Sequence, residues 1–138
     1  MIEKTLWDFR NAAGRNLIRQ WAEQVGLTSR ERAHLNQRLD RLAQLDFRLA
    51  VHSDLVNGPL KRAAHVYKMR VFGDRAIRLL LCRGPHADEM ETAFTLLVGA
   101  IEKSWKYHPA NAEELAGLRR DELLAASRQS ARVNHVRF

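Results

Sequence analysis

Cysteine is nearly absent from this chain of 138 residues: Cys82 is the single one, so no disulfide can form within the chain. Its place in an apolar run reads as a small buried hydrophobe, not a nucleophile. Acidic residues are also short, 16 against 23 lysines and arginines, which leaves a formal net charge of +7. That balance favours RNA, DNA or an acidic protein as partner. No apolar run approaches the length of a membrane span and no apolar core of a secretion signal opens the chain, so a cytoplasmic protein of bacterial or phage origin, with no membrane partner, is expected. His52, His65, His86 and His135 lack metal-ligand spacing, and no cofactor is expected. Internal repeats and low-complexity segments are missing too.

What is present suffices for one core: 46% of the residues are hydrophobic, in keeping with a single domain over residues 1–126. Residues 4–10 read as a first strand. Leu17, Ile18, Trp21, Ala22 and Val25 form a helical stripe that stops at Gly26. Thr28, with Glu31 three positions on, has the form of a capping box, and it opens a second helix whose Leu35, Leu39, Leu42, Leu45 and Leu49 are expected to face inward. The stretch 51–64, with Asn57-Gly58-Pro59, reads as a loop.

Period-two alternation then takes over. In 66–72, Tyr67, Met69 and Val71 share one face and Lys68 and Arg70 the other. After a turn at Gly73-Asp74, Ile77, Leu79 and Leu81 point to the core and Arg78 away from it. Residues 92–101 are apolar almost throughout, as a strand buried on both faces would be. Asn111, with Glu114 three residues on, is placed to cap a last helix with an apolar side of Ala112, Leu115, Leu118, Leu123 and Ala126. Arg119 falls in the same sector, where structural pairing and a site role are both open. Residues 127–138, with Arg128, Arg132, His135 and Arg137, read as a basic, partly flexible tail. The expected fold is α+β: a small antiparallel, mixed-edge sheet of about four strands packed against an N-terminal helical hairpin and a C-terminal helix.

Arg70 and Arg78 can share one face of the 66–82 hairpin with no acidic residue at the strand positions beside them, which suits a bound anion. Glu102-Lys103-Ser104-Trp105-Lys106-Tyr107-His108-Pro109 follows the long apolar strand. Bland readings stand beside these: Lys103 and Lys106 as solvated charges, Trp105 as a packing residue, and Trp7, Trp21 and Tyr67 as core.

Taken in order, these segments resemble the RelE/ParE toxin superfamily, in its HigB-like, phage host-inhibition-like branch. The resemblance extends over residues 7–126 in element order, with specific motifs in 60–123. Leu60-Lys61 is similar to the family's approach to the sheet. Val66-Tyr67-Lys68-Met69-Arg70 and Ile77-Arg78-Leu79 are similar to its two arginine-bearing strands. Leu96 to Ile101 followed by Glu102-Lys103-Ser104-Trp105-Lys106-Tyr107-His108-Pro109 is similar to its long strand and lysine-rich end, and Ala116 with Arg119 to its last helix. The chain departs from the pattern at Lys68-Met69, where glutamate is usual, at Ile77 and Leu81 in place of aromatics, and at Glu102 in place of a lysine.

The resemblance implies a RelE-like fold and the toxin of a type II toxin–antitoxin pair: a ribosome-dependent mRNA endoribonuclease that uses the ribose 2′-hydroxyl and needs no metal. Its implied partners are mRNA, the ribosome and a small antitoxin protein containing a helix-turn-helix. On this resemblance Arg70 and Arg78 clamp phosphate, Lys103 or Lys106 acts as base or electrostatic stabiliser, and His108 is available as acid. Lys61, Arg62, Lys68 and Arg119 would bind the nucleic acid, and Trp105, Tyr107 or His108 would stack on a base. Two other classes are compatible: a ParE-like topoisomerase or gyrase inhibitor, and a non-catalytic basic adaptor, phage-borne, that binds nucleic acid or a host protein.

Overall fold

The computed structural model describes residues 3–127 and 130–138. In chain order the elements are β1 (Thr5–Phe9), α1 (Leu17–Val25), α2 (Ser29–Gln44), α3 (Phe47–His52), β2 (Val66–Phe72), β3 (Ala76–Arg83), β4 (Ala93–Lys103), β5 (Lys106–His108), α4 (Ala112–Ala125) and β6 (Arg132–Asn134). The strands form one sheet in the order β2-β3-β4-β1-β6, with β5 paired to the end of β4. Strands β2, β3 and β4 are successively antiparallel, and β1 lies parallel to β4. The fold is therefore α+β as expected, with a mixed sheet of six strands in place of about four.

Local chemistry sets the helix ends. Asn16 caps α1, its Oδ1 accepting from the backbone N–H of Ile18 and Arg19, and Gly26 ends it in the left-handed region at φ 61°. The capping box of α2 is present: Thr28 Oγ1 accepts from Glu31 N, and Glu31 Oε1 from Thr28 N. The α2 stripe stops earlier than expected. Asp46 accepts from Arg48 N and starts the separate helix α3, which leaves Leu49 53% exposed. At α4, Asn111 occupies the cap position without a side-chain hydrogen bond to the helix, contrary to its expected role.

Two apolar layers clothe the sheet. On one face Ile18, Trp21, Leu35, Leu39 and Leu42 pack against Met69, Val71, Ile77, Leu79, Leu81, Phe94 and Leu96. On the other, Ala112, Ala116 and Leu123 of α4 pack against Val66, Leu80, Cys82, Leu97 and Ala100. The alternation expected for β2 and β3 holds. Burial pushes the Cys82 thiol up to about 12, so this cysteine is inert as a nucleophile.

Strand β4 changes phase midway. Leu80 pairs with Val98 but Leu81 with Leu96, so Leu97 is an extra residue, a β-bulge. Before it, Phe94 and Leu96 face α1 and α2; after it, Ala100 faces α4 and Ile101 packs on the opposite side. The phase change turns Glu102 toward the α4 side.

The expected basic tail is built into the sheet where it is described; Arg128 lies outside the described residues. Arg132 is buried, donating to both carboxylate oxygens of Glu89 at 2.7 Å and stacking 4.2 Å from the Trp7 ring centroid. His135 Nδ1 donates to Asp8 Oδ1 at 2.8 Å, and Phe138 N to Asn36 Oδ1 at 2.8 Å. These partners lie near the start of the chain, between β3 and β4, and on α2, and they hold a polar C-terminal stretch in place as β6.

Glu31 joins the helical layer to the β2–β3 turn. Its carboxylate is fully buried and accepts from Arg75 Nε at 3.0 Å and Nη2 at 2.7 Å. Hydrogen bonds from Arg75 lower its pKa from 4.5 to about 2 despite its burial. A carboxyl with a depressed folded pKa contributes stability above its unfolded pKa and loses it as pH falls toward the folded value. Between pH 6 and pH 3, urea unfolding of wild type is expected to lose roughly 1–1.5 kcal/mol more than unfolding of Glu31→Gln, after allowance for the partly solvated guanidinium. Equal losses in the two proteins would refute this assignment.

Candidate nucleic-acid interface

Beyond the apolar contact with α4, the same sheet face carries polar and aromatic side chains. Because Met69 and Val71 are drawn into the core, Lys68, Arg70 and Phe72 stand on the α4 side. Arg78 is opposite Arg70 in register, and Glu102 on β4 is opposite Tyr107 on β5. Arg70 is exposed and makes no ion pair among the described residues.

Arg78 is engaged within the protein. Its Nη2 donates to Glu102 Oε2 at 3.0 Å, its Nη1 to the Ile77 carbonyl at 3.0 Å, and its side chain is 6% exposed. The acidic neighbour missing from β2 and β3 is thus supplied by β4, through the bulge at Leu97. An incoming phosphate would have to displace Glu102 to reach this guanidinium.

Lys68 is half-buried, and its Nζ donates to Tyr107 Oη at 3.4 Å. Burial first, then the charge of Arg70, lowers the Lys68 pKa below the ordinary lysine range, while Glu102 and Glu113 oppose that shift. Burial, followed by Glu113 and Glu102, raises the Tyr107 pKa. The pair therefore sets a protonated phenol beside an amine that loses its proton more readily than a free lysine. Both line a cleft of about 550 Å³ together with Lys61, Arg62, Trp105, Lys106 and Glu113. Arg62 also meets Glu114 at 3.4 Å.

Trp105 stands at the tip of the β4–β5 hairpin. Ser104 and Trp105 form its two-residue turn at φ 53° and 66°, the left-handed pair of a type I′ connection that asparagine and glycine usually fill. Holding a bulky side chain there costs roughly 1–3 kcal/mol, and Trp105 is 95% exposed, so folding gains no burial in return.

The structure thus gathers Lys61, Arg62, Lys68, Trp105, Lys106 and Tyr107 around one cleft and sets Arg70 on the same sheet face. It places the others elsewhere. Lys103 does not line the cleft. His108 pairs with Ile101, whose side chain packs toward α1 and α2, so the imidazole lies on the face opposite Tyr107. Arg119 is at the open edge of β4, donating from Nη1 to the Leu97 carbonyl at 2.7 Å and lying 5.3 Å from the Phe9 ring centroid, away from the cleft. Sequence reasoning missed Glu102 as the partner of Arg78 and Phe72 as a member of this face, although strand alternation alone places Phe72 beside Lys68 and Arg70.

A second cleft of about 420 Å³ between α1, α2 and the C-terminal residues contains none of the expected site residues. Among the described residues, no three His, Cys, Asp or Glu side chains gather in a way that could hold a metal ion, and no helix is long and apolar enough to cross a membrane. Compared with known proteins, the chain matches no family model, no curated protein and no solved structure.

Proposed function

We propose that this chain is the toxin of a toxin–antitoxin pair and acts as a ribosome-dependent, metal-independent mRNA endoribonuclease. The observation that carries the reading is the Lys68–Tyr107 pair beside Arg70, at 3.4 Å, in a cationic cleft rimmed by the exposed Trp105. In the proposed reaction the ribose 2′-oxygen attacks the adjacent phosphorus as Lys68 takes its proton. The P–O5′ bond breaks as Tyr107 donates its proton to the 5′-oxygen, leaving a 2′,3′-cyclic phosphate and a 5′-hydroxyl. Lys68 then returns a proton to the phenolate across their hydrogen bond. Arg70 supplies fixed positive charge to the pentavalent phosphorane, and Lys61, Arg62 and Lys106 hold the flanking backbone. A cognate antitoxin covers the cleft in the host.

The test is primer extension on a translated message after induction of wild type and Arg70→Ala at matched soluble levels. Wild type is expected to produce new codon-phased 5′ ends, and Arg70→Ala to reduce them by roughly a hundredfold or more. Growth arrest without new ends overturns the nuclease reading. One observation favours a second reading, a basic RNA-binding adaptor that does not cleave: Arg78, a phosphate ligand on the resemblance, is neutralised by Glu102. RNA binding with no new ends is its signature.

A further inference from the structure

A second exposed ring stands on the sheet face of the proposed RNA site, across from the cleft. Phe72 is 61% exposed and shares the face of Lys68 and Arg70 at the end of β2. Its position is fixed by the backbone: the Phe72 carbonyl accepts from His34 Nδ1 at 2.8 Å. At Gly73, which follows, an added Cβ would come within 3.1 Å of Glu31, so the hairpin end is seated closely on α2. The Arg78 guanidinium lies 5.1 Å from the ring centroid and holds the ring's attitude.

One row of register partners crosses the sheet from this ring: Phe72 opposite Ala76, Ala76 opposite Glu102, Glu102 opposite Tyr107. The row ends in an aromatic side chain on each margin, about 14 Å apart by strand spacing. Ala76 leaves a shallow trough between them. A lone exposed aromatic needs no explanation, but this one adjoins Arg70, two residues before it on the same face, and lies against the Arg78 guanidinium. An apolar protein surface docking on Phe72 would desolvate Arg70 unpaired, whereas a single strand of nucleic acid brings bases to the rings and phosphates to Arg70.

We infer that Phe72 is a second base-stacking platform and that single-stranded RNA crosses the strands of the sheet from Trp105 and Tyr107, over Arg70, to Phe72. This track rests on the RNA reading proposed above and extends it by a distinct subsite.

Fluorescence anisotropy with labelled oligouridylates of increasing length tests it, using wild type, Phe72→Ala, Phe72→Tyr and Trp105→Ala with matched melting temperatures. Wild-type affinity is expected to rise in two steps with length, the second when the oligomer spans both margins. Phe72→Ala should remove the second step, weakening long oligomers by about tenfold and leaving the shortest unaffected, and Phe72→Tyr should restore it. If Phe72→Ala matches wild type at every length while Trp105→Ala binds more weakly, the second platform is overturned and the RNA reading stands. If wild type binds no oligomer, or binds polyglutamate as tightly, the RNA reading itself fails.

Discussion

Lys68→Arg is expected to abolish RNA cleavage while leaving RNA binding nearly intact. Arginine keeps the positive charge and reach of lysine but does not give up its proton in the working pH range, so it can hold phosphate and cannot serve as base. Positioned general bases contribute roughly 10²–10⁴-fold to rate, and the loss in single-turnover cleavage should fall in that range. The lowered pKa of Lys68, caused by burial and by Arg70, adds a second readout. Wild-type cleavage should rise with pH along a limb whose midpoint lies below that of an ordinary lysine, and Arg70→Ala should move that midpoint upward as one of its causes is removed. A Lys68→Arg protein that cleaves at the wild-type rate excludes the amine as base.

How much of this site was legible in the sequence depends on the distance between its parts. Lys68 and Arg70 were readable because both lie on one short strand where they alternate with the inward-facing Tyr67, Met69 and Val71. Glu102 was not, because Leu97 adds one residue to β4 and reverses which face every later side chain takes; an apolar run buried on both sides gives no mark of such a shift. The same register puts His108 and Tyr107 on opposite faces, although they are neighbours in sequence. At the helices the short-range signals held at Thr28 and Gly26, yet Leu49 went astray because Asp46 restarts the helix and rotates the stripe. Strand β6 was hidden for another reason. Arg132-Val133-Asn134 is too short to show a period, and its partner Trp7-Asp8-Phe9 lies at the other end of the chain. The pairings of Arg132 with Glu89 and of His135 with Asp8, which no local pattern announces, help to hold that polar stretch as an ordered element.

Gly99→Ala is expected to destabilise the fold by about 3 kcal/mol or more, a fall in melting temperature of roughly 10 °C for a chain of this size. The reason is close approach, not backbone conformation. A Cβ at Gly99 would sit 2.1 Å from Cδ2 and 2.3 Å from Cε3 of Trp21, whose ring lies flat on this stretch of β4. Trp21 is buried on the inner stripe of α1, so relief requires moving either the helix or the strand. Gly117→Ala supplies the contrast within the same protein. Its added methyl would meet Ala63 Cβ at an ordinary 3.5 Å on α4, and replacing a helical glycine should stabilise by about 0.5–1 kcal/mol. Replacing Trp21 with leucine opens space above Gly99, so Gly99→Ala should cost less in that background, with a coupling of at least about 1 kcal/mol in a double-mutant cycle. Additive effects of the two substitutions would show that the tryptophan does not hold β4 at Gly99. The position of Gly99 links this contact to the site, since the strand it lies on carries Glu102 to Arg78 and ends in the hairpin that displays Trp105.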